Sequence, residues 1–392
     1  MSKIGTIIPS EMTSYIDKKS GREIIKLTNS GTNVHFYFTE NSFTLGDKEI
    51  IYRRRVTSCA NTQGEELFAM NLETGESVQI TDFASRFKET KYYTKTPDSR
   101  YIVFFGDEDM YVLDRNTNET RLILKCPVGY TLCSPNISRD AKYVAVAMND
   151  IPNLPKKYNH ENYNGFKENF YAHKNGNIAL VKMDGTWSEI IFKDTHWLGH
   201  VQFAPDSNEY ISYCHEGPWN YVQQRIWILN TITRTVKPCF IQEEDDSIGH
   251  EFWTRDGLLC FDNRGKGHDG TITSDKKQAV TVTEDSGDSI PWIGFADKDC
   301  KLVRRLDVPF YCNHYHANID NSLLVADAVE DLVLIDISTD IAELQTLCEH
   351  NTSWRWQDVH CHPCWSWSND KILFASDYEK EGFTQLYMIK MK

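Results

Sequence analysis

The chain has 392 residues and a formal charge of −14, from 42 lysines and arginines against 56 aspartates and glutamates. That balance argues against a nucleic-acid binder, which presents a basic face, and no apolar run nears the ~20 residues a membrane-spanning helix needs. With 40% hydrophobic and 12% aromatic residues, a chain of this length can bury a large core. The apolar stretch within Met1–Ser10 is too short for a signal peptide, so the expected compartment is the cytoplasm. Eleven scattered cysteines, an odd number, preclude a complete disulfide framework and are expected as reduced thiols, mostly in the core. Cys361 and Cys364 have Cys-x-x-Cys spacing, but with no second pair and no βαβ context they read as two buried thiols. The glycosylation-like triplets at Asn118, Asn136 and Asn351 are expected to carry no meaning in a chain expected to stay in the cytoplasm.

In chain order, Gly21–Thr28 reads as a strand that belongs to no unit of its own. After it, short apolar runs rich in Ile, Val, Phe, Tyr and Trp alternate with Asp/Asn/Gly/Ser turns, the pattern of antiparallel strands. They recur as a unit: Gly46–Ile51 with Leu67–Gly75, Pro97–Ile102 with Met110–Asp114, Ser138–Tyr143 with Ile178–Gly185, and Pro205–Tyr210 with Ile226–Asn230. Three more open at Arg255–Leu259, Ile319–Leu323 and Ser368–Ile372. Seven units at intervals of about 40–60 residues predict an all-β chain, a seven-bladed β-propeller forming a single domain over 1–392. The last unit lacks an outer strand, which Gly21–Thr28 can supply, closing the ring and removing its open edge. The irregular stretches Asn149–Asn175 and Arg264–Ser289 read as excursions from blades.

Thirteen histidines are less informative by number than by position. His200, His250 and His314 each precede a unit, and His360 and His362 precede the last. The innermost strand of every propeller blade lines the axis, so one position repeated in successive units converges on one axial pocket. His360 and His362, two apart, share a face if they stand on a strand, a spacing that suits two imidazoles on one metal ion. His215 and Arg225 follow in the fourth unit.

The stretches His196-Trp-Leu-Gly-His200, Cys214-His-Glu-Gly-Pro218, His250-Glu-Phe-Trp253, His350-Asn-Thr-Ser-Trp354 and Gln357-x-x-His360-x-His362-Pro363 together resemble the oligogalacturonate lyases. Those are cytoplasmic pectin-degrading enzymes with a seven-bladed propeller. The resemblance implies a divalent ion, Mn2+ in the first place, held by His314, Gln357, His360 and His362. It also implies a catalytic base at His250 with Arg225 nearby, and places His200 and His215 in the same pocket. Trp219 stands where family members carry histidine, and is a candidate for stacking on a sugar. The sixth unit lacks a family insertion. Both departures bear on substrate more than on chemistry.

That chemistry is β-elimination of short 4-linked uronides to 4,5-unsaturated products. The C5 proton beside the uronate carboxylate is barely acidic, and a metal on that carboxylate stabilises the charge that develops. A neutral imidazole, with an ordinary pKa of ~6.5, is a suitable base near neutral pH, and Arg225 can neutralise a carboxylate or depress that base further. An octahedral ion with four protein ligands keeps two open positions, whereas tetrahedral zinc with the same four would be closed and structural. The alternative from another class is a non-catalytic propeller that binds a glycan or a protein. A peptidase-linked propeller is excluded by the lack of a Gly-x-Ser-x-Gly elbow. Most tryptophans read as blade packing, Glu243–Asp246 as a solvated turn, and His268 and His316 as surface or supporting residues. A charge of −14 does not bar a polyanionic substrate, because salt screens distant carboxylates beyond about 8 Å.

Overall fold

The computed structural model describes residues 3–155, 163–272 and 290–391. Its strands form seven antiparallel sheets, each meandering from an innermost to an outer strand, as expected of seven blades. The innermost strands are Thr32–His35, Thr90–Lys95, Tyr130–Ile137, Leu198–Phe203, Ile248–Trp253, Tyr315–Ala317 and Cys364–Trp365.

The apolar runs visible in the sequence are the second and third strands of the blades, which are covered on both faces. In Tyr101–Gly106, Ile102 and Phe104 pack toward the first blade while Val103 and Phe105 pack toward the third. Alternate side chains of one strand thus feed two different interfaces, and neither face can be polar. Among the described residues one apolar cluster lies at each blade junction, from the first–second to the seventh–first.

The ring is closed by the segment expected to close it. Glu23–Lys26 pairs with Gln385–Lys390, Ile25 opposite Met388, and becomes the fourth strand of the last blade. Thr13–Ile16 adds a fifth strand to that blade, and Ile7–Ile8 a fifth to the first.

Antiparallel order puts the start of each first strand, the end of the second and the start of the third on one face of the ring. The two excursions leave from that face, between the second and third strands of the third and fifth blades. The helix Phe166–Ala172 belongs to the first excursion; residues 156–162 and 273–289 lie outside the described set. All eleven cysteines are free, Cys361 and Cys364 among the buried ones. Among the described residues no helix is long and apolar enough to cross a membrane.

Candidate metal centre and active site

Blade register explains how scattered histidines meet. In the fourth blade Gly199 pairs with Cys214 and Gln202 with Ser212, so two residues face one and His200 occupies a bulge. The fifth blade repeats this around His250, between Gly249 and Phe252. In the seventh, Cys361 O accepts from Ala375 N and Cys364 pairs with Leu373, which puts His362 at the same station. His314, just before Tyr315 paired with Ala326, occupies it in the sixth. His200, His250 and His362 have φ of 50°, 45° and 44°. Left-handed backbone on a non-glycine residue costs of order 1 kcal/mol, and a bulge is a way to re-aim a side chain. Here it turns imidazoles toward the axis.

His314, His360 and His362 each offer a ring nitrogen within 4.8 Å of the others, and all three side chains are buried. His360 and His362 converge differently from the expectation of a shared strand face. His360 closes a 3-10 turn, Gln357–Val359, and His362 has left-handed backbone, so a turn brings the pair together. His314 Nδ1 donates to the fully buried Asp327, 3.0 and 3.2 Å from its two oxygens. Asp327 also accepts the backbone N–H groups of His314 (2.6 Å) and His362 (3.3 Å). This carboxylate fixes the His314 tautomer with its Nε2 lone pair free, the support that metal-binding histidines ordinarily have. His360 Nδ1 and His362 Nε2 are buried without a hydrogen-bond partner. Burial and the neighbouring His314 push both rings well below the ordinary histidine pKa, so both are neutral. Buried, neutral, convergent and unpaired nitrogens suit a borderline divalent ion. Gln357 stands on the preceding turn with its side chain exposed and, among the described residues, makes no hydrogen bond to the three imidazoles.

Beside the trio, the His250 ring lies 4.6 Å from His314, centroid to centroid. Its Nδ1 is 3.3 Å from the Tyr311 hydroxyl and 3.6 Å from buried Asp262. Burial, then the cationic neighbourhood of His314, Arg264, His200 and Arg225, holds its pKa well below the ordinary value. Trp219 is 4% exposed and packs edge-on against His250 at 4.9 Å. Guanidiniums of Arg264 and Arg225 lie 4.7 and 5.3 Å from its ring centre. A Cβ on Gly249 would meet this indole at 2.0 Å and one on Gly270 at 2.5 Å. Trp219 therefore fills a glycine cradle behind His250, with little ring left for a sugar.

His200 faces a different set. Its Nδ1 is 3.0 Å from Glu251 and its Nε2 3.6 Å from Glu216. Arg225 is committed to the same group: it pairs with Glu216 at 3.1 Å and donates to the carbonyls of His215 and Gly217. His215 itself does not join the pocket. Its place on the second strand turns the ring outward, where Nε2 bonds Asp194 at 3.1 Å and the ring stacks on His196 at 4.0 Å. His268 is buried, and His316 Nδ1 accepts the Trp365 N–H, a tie between blades six and seven.

Several site residues escape a sequence reading. Tyr37, on a loop after Thr32–His35, lies 4.8 Å from His362 and 6.0 Å from both His200 and His314. Phe38 packs under His314 at 5.2 Å. Asp327 and Asp262 carry no local motif. Glu216 and Glu251 do, each adjoining a histidine in a stretch already singled out.

Fold and site together define a seven-bladed propeller with a buried imidazole centre on its axis. The chain belongs to the oligogalacturonate lyase family, whose model matches residues 1–392, and is thereby a lyase. It is 24% identical to the oligogalacturonide lyase of Pectobacterium atrosepticum, over 99% of this chain and 98% of that one. It is 22% identical to the oligogalacturonate lyase of Dickeya dadantii, over 96% and 95%. A solved structure of an oligogalacturonate lyase in complex with manganese shares the fold, with a TM-score of 0.81 and 22% identity, covering 100% of this chain and 99% of the other.

Proposed function

We propose that this single-domain propeller is a cytoplasmic, manganese-dependent lyase that cleaves short oligogalacturonides by β-elimination. One observation carries the reading: three buried imidazoles converge, two of them with unpaired nitrogens, beside a fourth at the same station of the neighbouring blade. His314, His360 and His362 would hold the ion, with Gln357 the candidate fourth ligand from its exposed turn. When bound, the ion supplies Lewis-acid stabilisation for the carboxylate beside the reacting carbon.

The chain's own groups do the rest. His250, neutral and oriented through Nδ1 by the Tyr311 hydroxyl, presents Nε2 as the base for the C5 proton. Trp219 holds that ring in place and keeps water from its flank. Arg225 and Arg264 raise the local positive potential where a uronate would bind, although the Arg225 charge is shared with Glu216. The free thiols accord with a reducing compartment. A non-catalytic propeller would have no use for unpaired buried imidazoles, whose desolvation is costly.

The test is incubation with digalacturonate and trigalacturonate, with and without chelator, following ultraviolet absorbance of the unsaturated product. Product that requires a divalent ion is expected. His250→Asn should keep its metal and lose turnover; product formation at the native rate would move the base elsewhere.

A further inference from the structure

Galacturonate sets a stereochemical demand on elimination across C4–C5. Its H5 and O4 are both axial and point to opposite faces of the ring, so the group that removes the proton cannot also serve the departing oxygen. That oxygen is the anomeric oxygen of the neighbouring sugar, a basic alkoxide unless it is protonated as the C4–O4 bond breaks. We infer that His200 is the general acid that protonates it, an assignment that rests on the lyase reading above.

The geometry singles out this residue. His200 occupies the axial station of the fourth blade, next to His250 in the fifth, and its bulge directs the ring at the pocket. Its side chain is 20% exposed, and Tyr37 separates it from the metal trio. Nδ1 lies 3.0 Å from an oxygen of Glu251, a carboxylate with no exposure, while Nε2 lies 3.6 Å from Glu216, beyond a good hydrogen bond. The imidazole thus has a buried carboxylate behind it at Nδ1 and presents Nε2 forward.

The electrostatics follow the same division. Glu251 from the fifth blade and Glu216 from the fourth face His200, with Arg225 opposing them; Tyr37 and the Ser134 hydroxyl, which accepts the His200 backbone N–H, add no charge. Burial alone would lower the His200 pKa, but the two carboxylates outweigh it and raise it.

The step balances without a further reagent. His250 takes H5, the C5–H electron pair becomes the C4=C5 π bond, and the C4–O4 pair stays with oxygen. O4 takes the Nε2 proton of His200. Afterwards His250 gives a proton to water and His200 recovers one, so both return to their starting states.

The experiment pairs two substrates with His200→Asn, chosen because asparagine tolerates left-handed backbone. On digalacturonate, kcat should fall by about 10²–10⁴-fold with metal content retained. On a 4-deoxy-4-fluoro-galacturonide, whose fluoride leaves without a proton, the variant should release fluoride at nearly the native rate. Equal losses on both substrates, or a native rate on digalacturonate, would overturn the assignment and leave the lyase reading standing. A native enzyme inactive on every oligogalacturonide would instead sink that reading, and the assignment with it. Glu251→Gln provides a second measurement in a different variant. An acid works only while protonated, so the basic limb of the pH–kcat profile should move to lower pH; an unmoved limb counts against His200.

Discussion

Replacing Asp327 with asparagine keeps the shape of a fully buried side chain and removes its charge. The carboxylate accepts from three donors, the His314 backbone N–H at 2.6 Å, the His314 ring at 3.0 Å and the His362 backbone N–H at 3.3 Å. An amide has one acceptor oxygen, and its NH2 would confront the remaining donors. One buried N–H left without a partner costs about 1–3 kcal/mol. Loss of the group that fixes the His314 ring costs about 10–100-fold in metal affinity, equivalent to roughly 1.4–2.8 kcal/mol. Asp327→Asn should therefore unfold at lower urea without metal and bind Mn2+ one to two orders of magnitude more weakly. The affinity can be read from the resonance signal of free Mn2+ during titration, and the stability from a parallel denaturant curve. A folded variant with native Mn2+ affinity would refute the reasoning that Asp327 organises the centre.

Asp358 sits on the turn between Gln357 and His360 and pairs with Arg53 at 2.7 Å and with Arg55 at 2.6 Å; Arg55 also pairs with Glu65. Asp358→Asn leaves buried guanidinium charge short of a partner, so a loss of about 3–5 kcal/mol is expected in denaturant, together with weaker metal binding if the proposed ligands Gln357 and His360 on this turn hold the ion. Glu40 offers a pH test away from the imidazoles. Its oxygens accept from Thr94 at 2.7 Å and Asn136 at 2.8 Å, yet burial pushes its pKa up from the ordinary 4.5 to about 7. The folded form then holds the proton more tightly, so this group's contribution is full below pH 4.5 and declines as pH rises toward 7. Against Glu40→Gln, the native chain should lose stability across that window in urea midpoints; parallel curves would contradict the shift.

The blades were legible because strands such as Tyr101–Gly106, buried on both faces, are continuous apolar runs between turns. The innermost strands were not, since the bulges at His200 and His250 break the period of two just where the chemistry sits. Histidine position relative to the units still located His250, His314, His360 and His362 around one axis, because a propeller maps equal places in successive units to equal places around the ring. Strand parity was the wrong reason for the His360–His362 pair, which converges through a turn. His215 was misplaced for a similar cause: neighbours on a regular strand face opposite sides, so Cys214 and Glu216 look inward and His215 looks out to Asp194. Asp327, Asp262 and Tyr37 reach the site only through tertiary contact, and no local pattern marks them.

The pairing of Glu23–Lys26 with Gln385–Lys390 fixes an order of assembly. Joining segments some 360 residues apart costs about 5 kcal/mol of chain entropy, recovered only when the last blade docks on both neighbours. Two imidazoles of the trio, His360 and His362, arrive with that same blade, whereas His314 belongs to the one before it. A chain that lacks its last blade carries His200, His250 and their carboxylates but not the trio. An ion held by the proposed trio would span the seam between the sixth and seventh blades, and would act as a clasp on a ring that has just shut.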